Sequence, residues 1–317
     1  PILYKTIKVQ KTWATGSTPV AVTFDLYQSG VTDPIETITL PAGETEIAFA
    51  GTAASAVGGQ YPVTDAAGNA ILYTVTEQPI NGYIITAAAQ TSDDTTINNA
   101  FTNTPTTVTL SKKALTGTAE LPGALMTLTD VSVTPNTQVD QWTSGDTAHT
   151  LTATLIVGHT YTLTETTAPN GYAVTGSVTF KVLASGALEA VGTLPANTAL
   201  SGNTVTLRDA QLTLTVSKKA VGGGEELPGA TLTLTDTTLD QPVAQWVGGA
   251  TAKTFSSTVA TTGTGTAIDG LYYTFPAGQS YPLIAGHSYK LTETAAPEGY
   301  LLANFITFTL NLSGEIT

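Results

Sequence analysis

The sequence predicts an all-β protein made of β-sandwiches in tandem, and three observations carry that reading. Segments alternating Thr with Val, Leu or Ile recur from end to end, the period-two pattern of half-buried strands. Gly, Pro, Asn and Asp separate these segments at short intervals, as turns between strands require. One long stretch of sequence occurs twice, first from Leu110 and again from Val216.

Composition sets the outer limits. Of 317 residues 41% are hydrophobic, ample for cores, and 11% are charged. β-Branched residues suit a pleated, half-buried surface, and no segment has the spacing of an amphipathic helix. The net charge is −13. Without a basic patch, binding to nucleic acid or to an anionic membrane surface has no electrostatic footing. The acidic excess reads as solubility. The lack of cysteine removes disulfides, thiolate zinc sites and Cys nucleophiles together. No apolar run reaches the length of a membrane span and the first residues do not form a signal peptide, so an exported protein is expected to be present here as a processed or trimmed piece.

Internal repeats set the module plan. LSKKALTGTAELPGALMTLTD from Leu110 is matched by VSKKAVGGGEELPGATLTLTD from Val216. HTYTLTETTAPNGY from His159 is matched by HSYKLTETAAPEGY from His287, and SVTFKVLASGALE from Ser177 by FITFTLNLSGEIT from Phe305. A more distant copy precedes them in IKVQKTW, ILYTVTEQPINGY and INNAFTNT, from Ile7, Ile71 and Ile97. Boundaries near Thr104 and Ala210 follow. They give modules 1–104, 105–210 and 211–317, each of β-sandwich size. The joints TPTTVTL and QLTLTV read as strands rather than flexible linkers, so an elongated and fairly stiff rod is expected.

Strand parity then singles out three polar positions per module, because residues i and i+2 share a face. Lys11 falls on the face of Ile7, Val9 and Trp13; Lys112 on that of Val108 and Leu110; Lys218 on that of Leu212, Leu214 and Val216. The chain has ten lysines, yet each module aims one inward from its first strand. Glu77, Glu165 and Glu293 share faces with Tyr73 and Val75, Tyr161 and Leu163, and Tyr289 and Leu291. Asn103 shares a face with Phe101, and Asp209 with Val205 and Leu207. Asn103 and Asp209 each lie nine residues before the next module's lysine. A buried Lys–Glu pair is also an ordinary structural ion pair; recurrence of the triplet sets a chemical reading beside it.

That chemistry needs these residue types. An apolar interior disfavours the ammonium and leaves a nucleophilic amine. It also keeps a carboxylic acid protonated, ready to polarise the Asn or Asp carbonyl and shuttle protons to the leaving group. Attack by the amine expels ammonia from Asn or water from Asp, and proximity in a dry core supplies the effective concentration. The reaction happens once per module. It is maturation, and no enzyme activity with turnover is expected.

The sequence resembles the B-type repeat modules of Gram-positive surface proteins, described in a collagen adhesin and common in sortase-assembled pilins. Module one is similar to the subtype with a VxKxW start, a YTVTE strand and a TNT end, here VQKTW, YTVTE and FTNT. Modules two and three resemble the other subtype, with LSKK or VSKK, LPGA and LTETxAPxGY, and VTLRDA looks like the Asp-bearing last strand of split peptide-tagging systems. The resemblance implies immunoglobulin-like or prealbumin-like sandwiches. It also implies isopeptide bonds Lys11–Asn103, helped by Glu77, and Lys112–Asp209, helped by Glu165. Asn99 has the parity of Asn103 and stays a rival acceptor.

Module three departs from this pattern. The helper-to-acceptor spacing is 26 residues in module one and 44 in module two, and from Glu293 even the shorter one passes Thr317. Asn311 has the wrong parity and Asn304 follows the GY turn directly. The expectation is a module without its last strand, with an open groove and with Lys218 and Glu293 unbonded. Trp142 to His159 spans 17 residues but Trp246 to His287 spans 41, leaving a 24-residue insertion at about 257–280. Its Leu271, Tyr272, Tyr273 and Phe275 read either as an extra hairpin packed on the sandwich, the favoured reading, or as a contact loop for a ligand. The insertion could also supply the absent strand.

The remaining features read as structure. His149, His159 and His287 form no metal cluster and read as turn or loop residues; TDAAGN and TSDDTTINN lack calcium-loop spacing and read as turns. Trp142 and Trp246 read as packing residues. No cofactor motif occurs. The expected function is a stalk segment of a cell-wall-anchored pilin or adhesin at the surface of a Gram-positive bacterium. Its expected partners are neighbouring pilin or adhesin subunits, with a host surface ligand as a further one. No LPxTG or YPK motif occurs, which favours an ancillary pilin or adhesin stalk over a polymerising shaft subunit. The rival readings are a ligand-binding adhesin proper, with the module-three insertion as contact loop, and an accessory module of a larger secreted enzyme.

Overall fold

The computed structural model describes residues 2–256, 258–260, 266–268, 271–273 and 280–317. Among them all regular structure is β-strand. In module one, Tyr4–Trp13 is flanked by Glu46–Ala48, antiparallel, and by Thr96–Pro105, parallel, with Tyr83–Ala87 beyond. A second sheet runs Glu36–Leu40, Val22–Gln28, Tyr73–Glu77. Ile7, Val9, Phe24, Leu26, Val75 and Phe101 from the two sheets form one buried cluster. Each such side chain stabilises the fold by about 1.5–3 kcal/mol when fully buried.

Module two repeats the plan. Its first sheet runs His149–Thr152, Thr107–Ala114, Thr204–Asp209, Thr198–Ser201. The second runs Thr137–Thr143, Leu125–Asp130, Thr160–Thr167, Val178–Val182, Leu188–Ala190. In both modules the first and last long strands lie side by side and parallel. A parallel neighbour requires a crossover, so the whole module folds between these two strands.

Module three differs at one edge. Thr213–Val216 pairs with Lys253–Ser256, which is followed by Thr258–Ala260 and Ser280–Pro282. The opposite sheet runs Gln241–Val247, Thr231–Asp236, Ser288–Ala295, Ile306–Thr309. Among the described residues nothing pairs with the second edge of Thr213–Val216, the place that Thr204–Asp209 fills in module two. The insertion does not fill it with any described strand. Thr258–Ala260 extends the sheet on the far side, and Thr266–Ile268 pairs with Leu271–Tyr273 in a ribbon of its own. Phe275 and the side-chain contacts of Leu271, Tyr272 and Tyr273 lie outside the described residues.

The joints are hydrogen-bonded chain rather than linker. The Thr106 amide donates to the Gly82 carbonyl and its hydroxyl to that of Leu155, both at 2.8 Å, while the Ala153 amide donates back to Thr106. At the second joint the Leu212 amide donates to Gly171, whose own amide donates to Leu283. Ala173 of module two packs within the module-three core. Gly82 has φ +84°, and a Cβ there would stand 2.2 Å from the Ala153 carbonyl oxygen. Gly82→Ala is therefore expected to cost about 1–3 kcal/mol through backbone strain and displacement of module two. Urea unfolding of the variant measures this, and an unchanged midpoint would show that the joint yields freely.

The polar turns have specific causes. Asp65 accepts from the amides of Ala67 and Asn69, and Asp93 from those of Thr95 and Thr96, so both acidic stretches are side-chain-closed turns. His159 and His287 sit in equivalent turns, Nδ1 of each 2.8 Å from a buried carboxylate, Asp130 or Asp236. His149 departs from the turn expectation: it lies in the strand His149–Thr152, stacked on Trp142 with its Nε2 2.7 Å from Asp140. Trp246 is buried edge-on against Phe255.

Candidate functional site

Three strands deliver the polar triplet of module one to the core. Lys11 stands opposite Phe101 in the parallel ladder, so Asn103, two residues further, lies diagonally across on the same face. Glu77 reaches them from the other sheet. The Lys11 ammonium nitrogen is 2.8 Å from Glu77 Oε2, and the Asn103 amide nitrogen donates to Glu77 Oε1 at 2.6 Å. The Lys11 and Glu77 side chains have no exposure. Burial pulls the Lys11 amine below its ordinary range, and the neighbouring Glu77 opposes this only in part.

One detail differs from the expected geometry. The helper acid does not meet the acceptor carbonyl: Asn103 Oδ1 has no partner, and Glu77 touches the amide nitrogen instead. Glu77 thus contacts both the nitrogen that would attack and the nitrogen that would leave. Asn99 is elsewhere. Its amide donates to the Lys8 carbonyl and it accepts from Gln90, and it touches neither Lys11 nor Glu77.

Module two brings the corresponding residues together with the same offset. Lys112 is opposite Leu207, and Asp209 lies two residues on. Lys112 Nζ is 2.9 Å from Glu165 Oε2 and contacts Asp209 Oδ1 directly. Burial pushes the Glu165 carboxyl up to about 7 against the pull of Lys112, with the Asp209 charge adding to the rise. Glu165 Oε1 and Asp209 Oδ2 are buried without partners.

Module three holds two members of the triplet. Lys218 Nζ is 3.2 Å from Glu293 Oε1, and the Lys218 side chain is 19% exposed, against 3% for Lys112. No Asn or Asp bonds to either among the described residues. A cavity of 140 Å³ opens there, lined by Val216, Lys218, Leu232, Glu293 and Ile306, and Leu301, Leu302 and Phe305 nearby are exposed. The cavity lies beside the edge of Thr213–Val216 that has no partner strand among the described residues.

Sequence reasoning missed two kinds of residue. Glu120 accepts from the Ser111 hydroxyl and the Lys112 amide, and Glu226 meets Ser217 and Lys218 in the same way, so each fixes the main chain that carries the lysine. Their position was marked by the repeated ELPG string, though not their role. Thr175 touches both Glu165 and Asp209. It had no such signal, since Ala303 replaces it in module three.

Known families and folds match along the chain. The prealbumin-like fold domain of the SpaA family matches residues 106–193 and 212–317, and the Cna protein B-type domain matches residues 7–100. A search of the curated proteins gives no match. Among solved structures, the pilus adhesin SpaC from Lactobacillus rhamnosus GG in an open conformation is 19% identical with a TM-score of 0.45; the likeness covers 100% of this chain and 40% of that one, so the chain spans less than half of that adhesin. The Bacillus anthracis TIE protein is 17% identical over 97% of this chain and 48% of its own, TM-score 0.32. A mutant of the shaft pilin SpaA from Lactobacillus rhamnosus GG is 16% identical over 66% of this chain and 99% of its own, TM-score 0.26.

Proposed function

Because the chain belongs to the SpaA prealbumin-like fold family, with a Cna protein B-type segment at its start, we propose that it is a stalk segment of a cell-wall-anchored pilin or adhesin, stiffened by self-formed isopeptide bonds. The observation that carries this reading is the buried Lys–Glu–Asn or Lys–Glu–Asp cluster, built twice with the same diagonal offset between parallel strands. Modules 1–104, 105–210 and 211–317 are separate domains in this reading, as three hydrophobic clusters support.

In module one the Lys11 amine attacks Cγ of Asn103, the Cγ–Nδ2 bond breaks, and Glu77 passes a proton from the attacking to the leaving nitrogen, which departs as ammonia. In module two Lys112 attacks Cγ of Asp209 and water leaves, with Glu165 as proton carrier. Closeness in a dry core replaces any external catalyst. Modules one and two each react once, so the protein is not an enzyme in the turnover sense. Its place is the exterior of a Gram-positive cell, and its partners are neighbouring subunits of the same assembly.

Intact mass tests this directly. Loss of one ammonia and one water lowers the mass by about 35 Da, and peptide mapping should recover Lys11 joined to Asn103 and Lys112 joined to Asp209. A mass equal to that of the unmodified sequence would refute the crosslinks.

A further inference from the structure

Thr175 stands where the helper and the acceptor of module two meet. It is buried, and its amide donates to Glu165 Oε2 at 2.7 Å, which leaves Oε1 free. Its hydroxyl oxygen lies 2.6 Å from the Arg208 carbonyl oxygen and 2.7 Å from Asp209 Oδ1. A hydroxyl has one hydrogen to donate. If that hydrogen goes to an ionised Asp209, the Arg208 carbonyl faces a bare oxygen. If it goes to Arg208, the carboxylate does. Both contacts are filled only when Asp209 carries a proton on Oδ1 and donates it to Thr175.

We propose that Thr175 is a positioning residue for amide formation in module two, holding Asp209 Oδ1 as the hydroxyl that leaves. The inference rests on the crosslink reading above. A carboxylate resists attack by an amine, whereas a carboxylic acid has a leaving oxygen already half way to water. Lys112 as the free amine forms the N–Cγ bond, the Cγ–Oδ1 bond breaks, and one amine proton, carried by Glu165, departs with Oδ1–H as water. Thr175 favours this neutral pair over the ammonium–carboxylate pair with the same number of protons.

The surroundings agree. The titratable groups facing Asp209 are Lys112 from the first strand and Glu165 from the opposite sheet. The Arg208 guanidinium turns away, to the Ala114 and Gly117 carbonyls. Module one, whose acceptor is an amide and cannot ionise, has no hydroxyl bonded to the Asn103 side chain, which meets Glu77 alone. Module three has Ala303 at the matching position, its amide still donating to Glu293 Oε2 at 2.6 Å.

The test follows crosslinking by intact mass and peptide mapping after cell-free synthesis of the full chain, with Lys11–Asn103 as internal control. Thr175→Val keeps the shape and removes the hydroxyl. It is expected to slow water loss in module two by about tenfold, the rate equivalent of one buried hydrogen bond, while Thr175→Ser reacts at the original rate. In an Asp209→Asn background, where no acid needs its proton held, Thr175→Val should change the rate of ammonia loss by less than about twofold. Equal slowing in the Asp and Asn backgrounds would reduce Thr175 to a packing residue and overturn the proposal, as would full speed in Thr175→Val. Absence of any mass loss in the unmutated chain would instead overturn the crosslinks themselves, and this inference with them.

Discussion

In the Glu165→Ala chain the Lys112–Asp209 crosslink is expected to be absent while Lys11–Asn103 forms as before. Removing the carboxyl takes away the group, other than the acceptor Asp209 itself, that touches the attacking amine and can relay its proton. Glu165→Gln, which keeps the size and the contact with the Thr175 amide, should fail equally because an amide cannot carry the proton. The proposed bridge would close a loop between residues 97 apart. Its loss removes about 4–5 kcal/mol of loop-closure stabilisation, on the order of 20–30 °C in melting temperature for a module of this size. Peptide mapping that still recovers the crosslink in both variants would refute the role given to Glu165.

The same residue sets a pH limit. Its ordinary value is 4.5 and burial raises it to about 7. In the folded precursor it is protonated below that value, so crosslinking should be slow once the pH climbs above about 7. The sign for stability is the same. Between 4.5 and about 7 the folded precursor holds a proton that the unfolded chain has released, so its stability falls as pH rises through that window.

Module three is expected to behave as the weak member. The amides of Thr213–Val216 that point away from Lys253–Ser256 meet no described partner strand, whereas Thr107–Ala114 is bonded on both sides. Hydrogen exchange of those outward amides should be faster by roughly two to three orders of magnitude than in Thr107–Ala114. With no acceptor beside Lys218 among the described residues, the segment 211–317 of this chain should keep its unmodified mass and be the first to yield to protease. Uniform protection across the two strands would show that the edge is covered.

What the sequence disclosed follows from strand geometry. Period-two parity identified the inward faces of Lys11, Lys112, Glu77, Glu165, Asn103 and Asp209, because a polar side chain in step with alternating aliphatics must point where they point. Parity could not separate Asn103 from Asn99, four residues apart on one face; only the ladder register, which sets Asn99 opposite Val9, carries it away from Lys11. Thr175 was invisible because its role depends on a turn folding over the far end of another strand. Glu120 and Glu226 stood within a visible motif but carried no sign of their role, since their bonds go to main-chain amides, which leave no trace in composition. The opposite sense of the Glu77 contact, to the amide nitrogen rather than the carbonyl, is likewise a matter of side-chain rotation.

The parallel pairing of first and last strands determines how much chain a pull can extend. With the proposed bridges closed, load would enter at Lys11, leave at Asn103, pass through nine residues to Lys112 and leave again at Asp209. The residues inside each loop never bear it. At about 3.3–3.6 Å per extended residue, each loop sequesters roughly 300 Å of contour length. In the proposed crosslinked form, modules one and two therefore stretch as short covalent links whose interiors stay folded under load.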